Sequence, residues 1–287
     1  MNLDASLDLK KVVVSENVAG LLSEEDRSKI AHGVIETYQM DLGSRAEWEE
    51  SMKTALNLAL QVAETKTFPW PDAANVKFPL ITVAALQFHA RAYSAMIPGP
   101  DIVKCQTFGE DPDGTKSARA TRVSGHMSYQ ILEEDENWED NHDRVLITVP
   151  IIGCAFKKSY FDSFLGHNVS ENVLAKDLVI PYFAKSLEQA SRLTHRLEVS
   201  ENYILTRERK GLFCAPPAEQ PAQYNGFSSE LDRTASVAQG VTPAYNDPST
   251  PQELLEQHCW LDLDGDGFAE PYVVTVRKDT AHLCRIV

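Results

Sequence analysis

The sharpest chemical pattern in this chain is Asp262-Leu263-Asp264-Gly265-Asp266-Gly267. Carboxylates at alternate positions, followed by glycine, can converge on a hard cation such as Ca2+ or Mg2+. The twelfth position of such a loop takes a bidentate glutamate, and here it is Val273. Glu270 stands at the ninth position, which usually reaches the ion through water. The flanks alternate like strands. Two readings stay open: a weak divalent-cation site on Asp262, Asp264 and Asp266, or a solvated hairpin turn.

Other chemical patterns dissolve on inspection. Residues 109–116 hold two glycines five apart, but Thr115-Lys116 stands where a phosphate loop needs lysine and then a hydroxyl. Glu110, Asp111 and Asp113 would also repel phosphate, so the nucleotide reading is rejected. Residues 133–143 carry seven carboxylates in eleven positions, which reads as a solvated face or the start of a helix. His258 and Cys259 are neighbours on a strand pattern, so their side chains point to opposite faces and cannot form a dyad. No H-E-x-x-H, G-x-S-x-G or C-x-x-C spacing occurs.

Twenty-seven basic residues stand against 42 acidic ones, for a net charge of −15, which argues against tight binding to nucleic acid phosphates. At 287 residues the chain can build one large domain or two ordinary ones. The start, MNLDASLDLKKVVV, lacks the charge and apolar run of a signal peptide. Cysteines 105, 154, 214, 259 and 284 are odd in number and scattered, which suits free thiols and synthesis in the cytoplasm. The Asn168-Val169-Ser170 sequon would then go unused.

The elements that must position these groups read as an α+β protein: a helical N-terminal part, then mixed helices and antiparallel strands. Residues 1–22 are expected to be an extended arm, with 12–14 able to pair with a strand. Segment 23–100 is helical. Ser23 opens a helix with Ile30, Ala31, Val34, Ile35 and Tyr38 on one face, and a capping box at Ser44 opens a second with Trp48, Met52, Ala55, Leu56, Ala59 and Ala63. Residues 68–100 begin with Pro69 and Pro71. From Pro79 they form an apolar helix whose only polar stripe is Gln87, Arg91 and Ser94. So narrow a wet face predicts a helix buried on most sides, the centre of the core. Gln87, His89 and Arg91 interrupt it too much for a membrane span.

Segment 101–214 is read as α+β. It has a strand at 102–108, a helix from Ser117 to Leu132, another from Trp138 to Pro150, strands at 154–162, 173–182 and 193–199, and a helix capped by Ser200. Residues 215–252 are a long Pro- and Ser-rich loop or insertion. Residues 253–287 form a hairpin and a last strand. Because the pattern stops within a strand, the chain is expected to continue into further elements. The four tryptophans are expected to anchor a core or an interface.

Three separated stretches resemble the N-terminal, wing-forming half of portal proteins from tailed bacteriophages (Caudoviricetes). They are Phe68-Pro69-Trp70-Pro71-Asp72-Ala73-Ala74-Asn75-Val76-Lys77-Phe78-Pro79-Leu80, Val149-Pro150-Ile151-Ile152-Gly153-Cys154-Ala155-Phe156-Lys157-Lys158, and Trp260 through the Asp/Gly turn to Tyr272. The resemblance implies a non-enzymatic subunit of a ring, usually a dodecamer, at one capsid vertex of the virion. Terminase would dock there to pass double-stranded DNA inward, and the tail or adaptors would attach later. Its partners would be copies of itself, the capsid or scaffold protein, terminase large subunit and tail proteins, with no membrane. It brings no catalytic residue and no cofactor. An acidic lining suits DNA that must slide without sticking, and each subunit of a closed ring offers two different faces to its neighbours. The competing expectations are a divalent-cation-dependent enzyme acting on nucleic acid through Asp262, Asp264 and Asp266, and another head–tail connector module.

Overall fold

The computed structural model describes residues 7, 9–62, 67–71, 73–74, 78–216 and 251–287. The expected loop at 215–252 therefore lies almost wholly outside the described residues, as do Ala63, Asp72 and 75–77 of the resembling stretches. The fold is α+β, with helices leading and antiparallel sheets following. Contacts divide the chain into two compact units, one made of Met1–Glu50 with Lys176–Val287, the other of Ser51–Ala175. These units cut across the segments read from the sequence, because the first unit takes its helix from one end of the chain and its sheet from the other. Among the described residues, no helix is long and apolar enough to cross a membrane.

In the first unit, α1 (Leu9–Val14) and a 3-10 turn (Val18–Leu21) lead into α2 (Glu24–Ser44). Ser23 caps α2, its hydroxyl accepting the Asp26 N–H. Strands β3 (Leu178–Val179), β4 (Arg192–Val199), β5 (Gln252–Leu261), β6 (Glu270–Arg277) and β7 (His282–Ile286) form one antiparallel sheet in that order. Leu254 and Leu255 are both fully buried although adjacent, so β5 is covered on both faces. Leu255 meets Val274, Val276, Leu283 and the α2 residues Ile30, Val34 and Tyr38. Leu254 meets Ile204 of α7 (Glu201–Arg209), which is capped by Ser200 as expected, and Phe213 just after that helix.

A polar seam along α2 runs beside that core. Thr37, Asp41 and Arg45, four apart, lie on one helical row. Gln257 Nε2 donates to the Thr37 hydroxyl at 3.2 Å, Arg192 donates twice to Asp41 at 2.6 Å, and Arg45 donates to the carbonyls of Leu178 and Lys176. The helix is thus tied to β5, β4 and β3 in turn.

The described part of the expected N-terminal arm, residues 7 and 9–22, is not an extended segment. Residues 12–14 belong to α1, and the segment after it seals the sheet instead. Asn17 Oδ1 accepts the Ile286 N–H at 3.1 Å, and its Nδ2 donates to the Cys284 and Leu212 carbonyls. A side-chain amide carries one acceptor and two donors, so Asn17, together with the Cys214 N–H that also donates to the Cys284 carbonyl, closes an edge of β7 that would otherwise be free to pair with another chain.

In the second unit, α3 (Ala46–Ala59, which begins in the first unit) leads to α4 (Leu80–Met96), α5 (Thr115–Tyr129), a π turn (Gln130–Glu134) and α6 (Trp138–Ile152). A hairpin of β1 (Phe156–Asp162) and β2 (His167–Val173) follows. Several expectations are corrected here. Ser44 is the last residue of α2 and its hydroxyl donates to the Asp41 carbonyl, so it caps nothing. Of the stripe on α3, only Met52 is buried. Residues 102–108 form no strand, because α5 supplies what a sheet would have: Ser128 accepts the Val103 N–H and Ser124 donates to the Val103 carbonyl. The expected strand at 173–182 splits, with β2 ending at Val173 and β3 spanning two residues.

The largest correction concerns α4. It packs on α6, where His89 pairs with Asp143 at 2.5 Å and the Tyr93 hydroxyl donates to Glu139. Ala85 is the only buried residue it contributes. Leu80, Val83, Leu86, Phe88 and Met96 are all exposed, Leu80 by 66%. The helix is therefore not the buried centre of the core: its apolar composition is right, but the described residues leave most of it uncovered.

Candidate functional site

The Asp/Gly loop joins β5 to β6. Leu263 is buried in the core and its carbonyl accepts the Leu7 N–H, which pins the loop from beneath. Gly265 and Gly267 have φ of 76° and 89°, a region that favours glycine. Asp262 accepts the N–H groups of Gly265 at 2.7 Å and Gly267 at 3.0 Å. Asp264 accepts from Asp266, and Asp266 from Phe268. One oxygen from each carboxylate lies within 4.8 Å of the others.

The donor set fits a cation only in part. Calcium takes about six to eight oxygens. Val273 is bonded through its backbone to Val287 in both directions and has no oxygen to offer. Glu270 has a buried oxygen without a hydrogen-bond partner, the one further donor nearby in sequence. The four amide bonds already hold the carboxylates together, as a hairpin turn requires. Titration calorimetry with Ca2+ should therefore give a dissociation constant weaker than about 10⁻⁴ M, abolished in Asp264→Ala. Micromolar binding would show that the loop recruits ligands from elsewhere.

The other sequence candidates fall apart in space as anticipated. Cys259 lies toward the core, its thiol pushed up to about 11 by burial, whereas the His258 ring is exposed beside Glu256 at 3.6 Å. At the start of α5, Asp111 accepts the N–H groups of Lys116 and Ser117, so a carboxylate of the chain occupies the place a phosphate would need. Asp111 and Gly114, rather than Ser117, thus make the cap. The acidic run breaks into separate jobs. Asp135 is buried and accepts the Ser170 N–H, Asp143 pairs with His89, and Glu139 and Asp140 lie in the first turn of α6. All five cysteines are free. Trp70 and Trp260 are more than half exposed, so neither is a core anchor in this chain.

Sequence reading puts His142 with Trp138, Val145, Leu146 and Val149 along one side of α6 but gives it no role. It is buried on α6, stacked on Trp138 with ring centroids 5.0 Å apart, and Lys157 sits over the same tryptophan at 4.5 Å. Neither ring nitrogen has a hydrogen-bond partner. Burial first, and Lys157 second, hold its pKa below the usual histidine range, against a smaller opposing pull from Asp143. The unfolded chain therefore binds this proton more readily than the folded one. Stability should be full above the ordinary histidine pKa of about 6.5 and fall as the pH drops through the lowered one. Unfolding curves across that range check this; His142→Leu should flatten the response.

Searches against family models and against curated proteins find no match for this chain.

Proposed function

We propose that this chain is a structural subunit of the portal ring at one vertex of a tailed-bacteriophage capsid, corresponding to the N-terminal, wing-forming half of that family. In that role it surrounds a channel through which terminase drives double-stranded DNA, and it later holds the tail or its adaptors. It is assigned no catalysis and no cofactor. Three stretches of sequence support the reading, and one structural observation carries it: α4 leaves Leu80, Val83 and Leu86 exposed on one face of an otherwise apolar helix. An apolar face of this kind marks an interaction site. A subunit built to sit among copies of itself needs such a face.

Electron microscopy and sedimentation of the chain extended to its natural stop test it; this segment alone should be a monomer or a weak oligomer. We expect rings with a central hole, and a Val83→Glu/Leu86→Glu variant that keeps its circular dichroism while associating about tenfold or more weakly. Monomers at every concentration, or substrate turnover that survives purification, would overturn the proposal.

The convergence of three carboxylates within 4.8 Å favours one second reading, a divalent-cation-dependent enzyme acting on nucleic acid through Asp262, Asp264 and Asp266. Metal-dependent hydrolysis lost in Asp264→Ala would select it. A different head–tail connector would instead co-purify with capsid or tail protein without forming rings alone.

A further inference from the structure

The second unit separates its charges along the chain, from α5 to the turn that precedes α6. Helix α5 contains Lys116, Arg119, Arg122 and His126 and no carboxylate at all, in a chain of net charge −15. At 3.6 residues per turn these four side chains fall within roughly one third of the helix circumference. All four are exposed. Val123 and Met127, 44% and 41% exposed, lie at the border of that face. The backbone stays helical through the π turn as far as Glu134 and carries exposed Glu133; it leaves helical geometry at Asp135, so exposed Glu136 stands in the turn before α6 and exposed Asp140 in the first turn of α6.

These two sets do not neutralise each other within one molecule. Among the described residues, Arg119, Arg122, Glu133, Glu136 and Asp140 make no ion pair. The 14 residues from Arg119 to Glu133 span about 20 Å at 1.5 Å per residue, well beyond the Debye length of about 8 Å at physiological salt. A second copy can bring its acidic run to the basic face and so remove that separation.

We propose that the basic face of α5 on one copy docks against Glu133, Glu136 and Asp140 of the next. The contact rests on the ring reading and gives it a direction. Its two sides are different surfaces, so it is head-to-tail, the kind that closes into rings or extends into filaments. Arginine beside exposed Val123 and Met127 is a composition suited to an interface, with charge setting register and apolar area supplying affinity. A nucleic acid is the poorer occupant. Three permanent cations within a strongly acidic molecule offer little counterion release, whereas a second copy presents a short anionic run that matches them.

The test is sedimentation velocity of the extended chain from about 0.1 to about 1 M salt, which shortens the Debye length from about 10 to about 3 Å. Association should weaken with salt. Arg119→Glu/Arg122→Glu alone and Glu133→Lys/Glu136→Lys alone should each associate at least about tenfold less tightly. An equimolar mixture of the two should recover association, because every mixed contact again joins opposite charges. Neutral Arg119→Gln/Arg122→Gln and Glu133→Gln/Glu136→Gln variants, tested in the same way, stand in if a charge-reversed one misfolds; each should weaken association.

Failure of the mixture to recover overturns the proposal. So does salt-insensitive association that Val83→Glu/Leu86→Glu still disrupts, an outcome that leaves the ring intact and discards only this contact. Fluorescence anisotropy with a labelled DNA duplex completes the test. Duplex binding lost in the arginine variants, with self-association unchanged, would make α5 a nucleic acid surface instead. Absence of any self-association by the unaltered extended chain would remove the contact and the ring together.

Discussion

Asp41→Ala should destabilise the first unit by about 3 kcal/mol, the lower end of what breaking a buried ion pair costs. Asp41 is 5% exposed and receives both arms of the Arg192 guanidinium at 2.6 Å. Removing it strands a cation against the sheet, and that loss of compensation outweighs the lost attraction. The figure sits low in the range because the Arg192 side chain is 25% exposed and water can reach it. Asp41→Asn keeps an acceptor and should cost less. Urea unfolding monitored by circular dichroism reads both; a loss below about 1 kcal/mol would mean that the pair behaves as a surface salt bridge.

Leu255→Ala should cost about 2–5 kcal/mol, the range for emptying a leucine site in a packed core. Its side chain is fully buried between α2 and the sheet, among Val274, Val276 and Leu283. Leu254→Ala empties the opposite face, against Ile204 and Phe213. Both changes should shift the urea midpoint with little change in slope, because they remove packing without altering the surface exposed on unfolding. A negligible effect from either would mean that its face of the sheet is not packed as described.

Where local chemistry decides, the sequence was readable. Ser23 and Ser200 were recognised as caps because a hydroxyl just before an amphipathic run satisfies the first free amides. The strands flanking the Asp/Gly turn were recognised because glycines at positive φ and alternating side chains leave few other conformations. The candidate site was legible to the same degree, since Asp262, Asp264 and Asp266 converge through bonds to amides only two to five residues away.

Where distant groups compete for the same donor or acceptor, it was not. Residues 102–108 have strand composition, but Val103 finds its partners on α5. Asn17 was taken for part of a loose arm, and its partner Ile286 lies 269 residues away. Nothing in the local pattern around Thr37, Asp41 and Arg45 announces that the three bind three different strands. His142 could be placed beside Trp138 on one side of its helix, but the local pattern does not show that Lys157 closes over the same tryptophan or that both imidazole nitrogens are left without partners.

Composition and periodicity by themselves determined that this is an α+β protein and where most helices and strands begin. Only the tertiary structure decided that α4 stays uncovered by the described residues, that Asn17 closes on a sheet edge, and that the basic face of α5 and the exposed carboxylates after it make no ion pairs with each other. The reason is the range of the forces. Backbone propensity and capping act within a few residues, whereas burial and charge pairing depend on which surfaces the completed fold brings together or leaves bare.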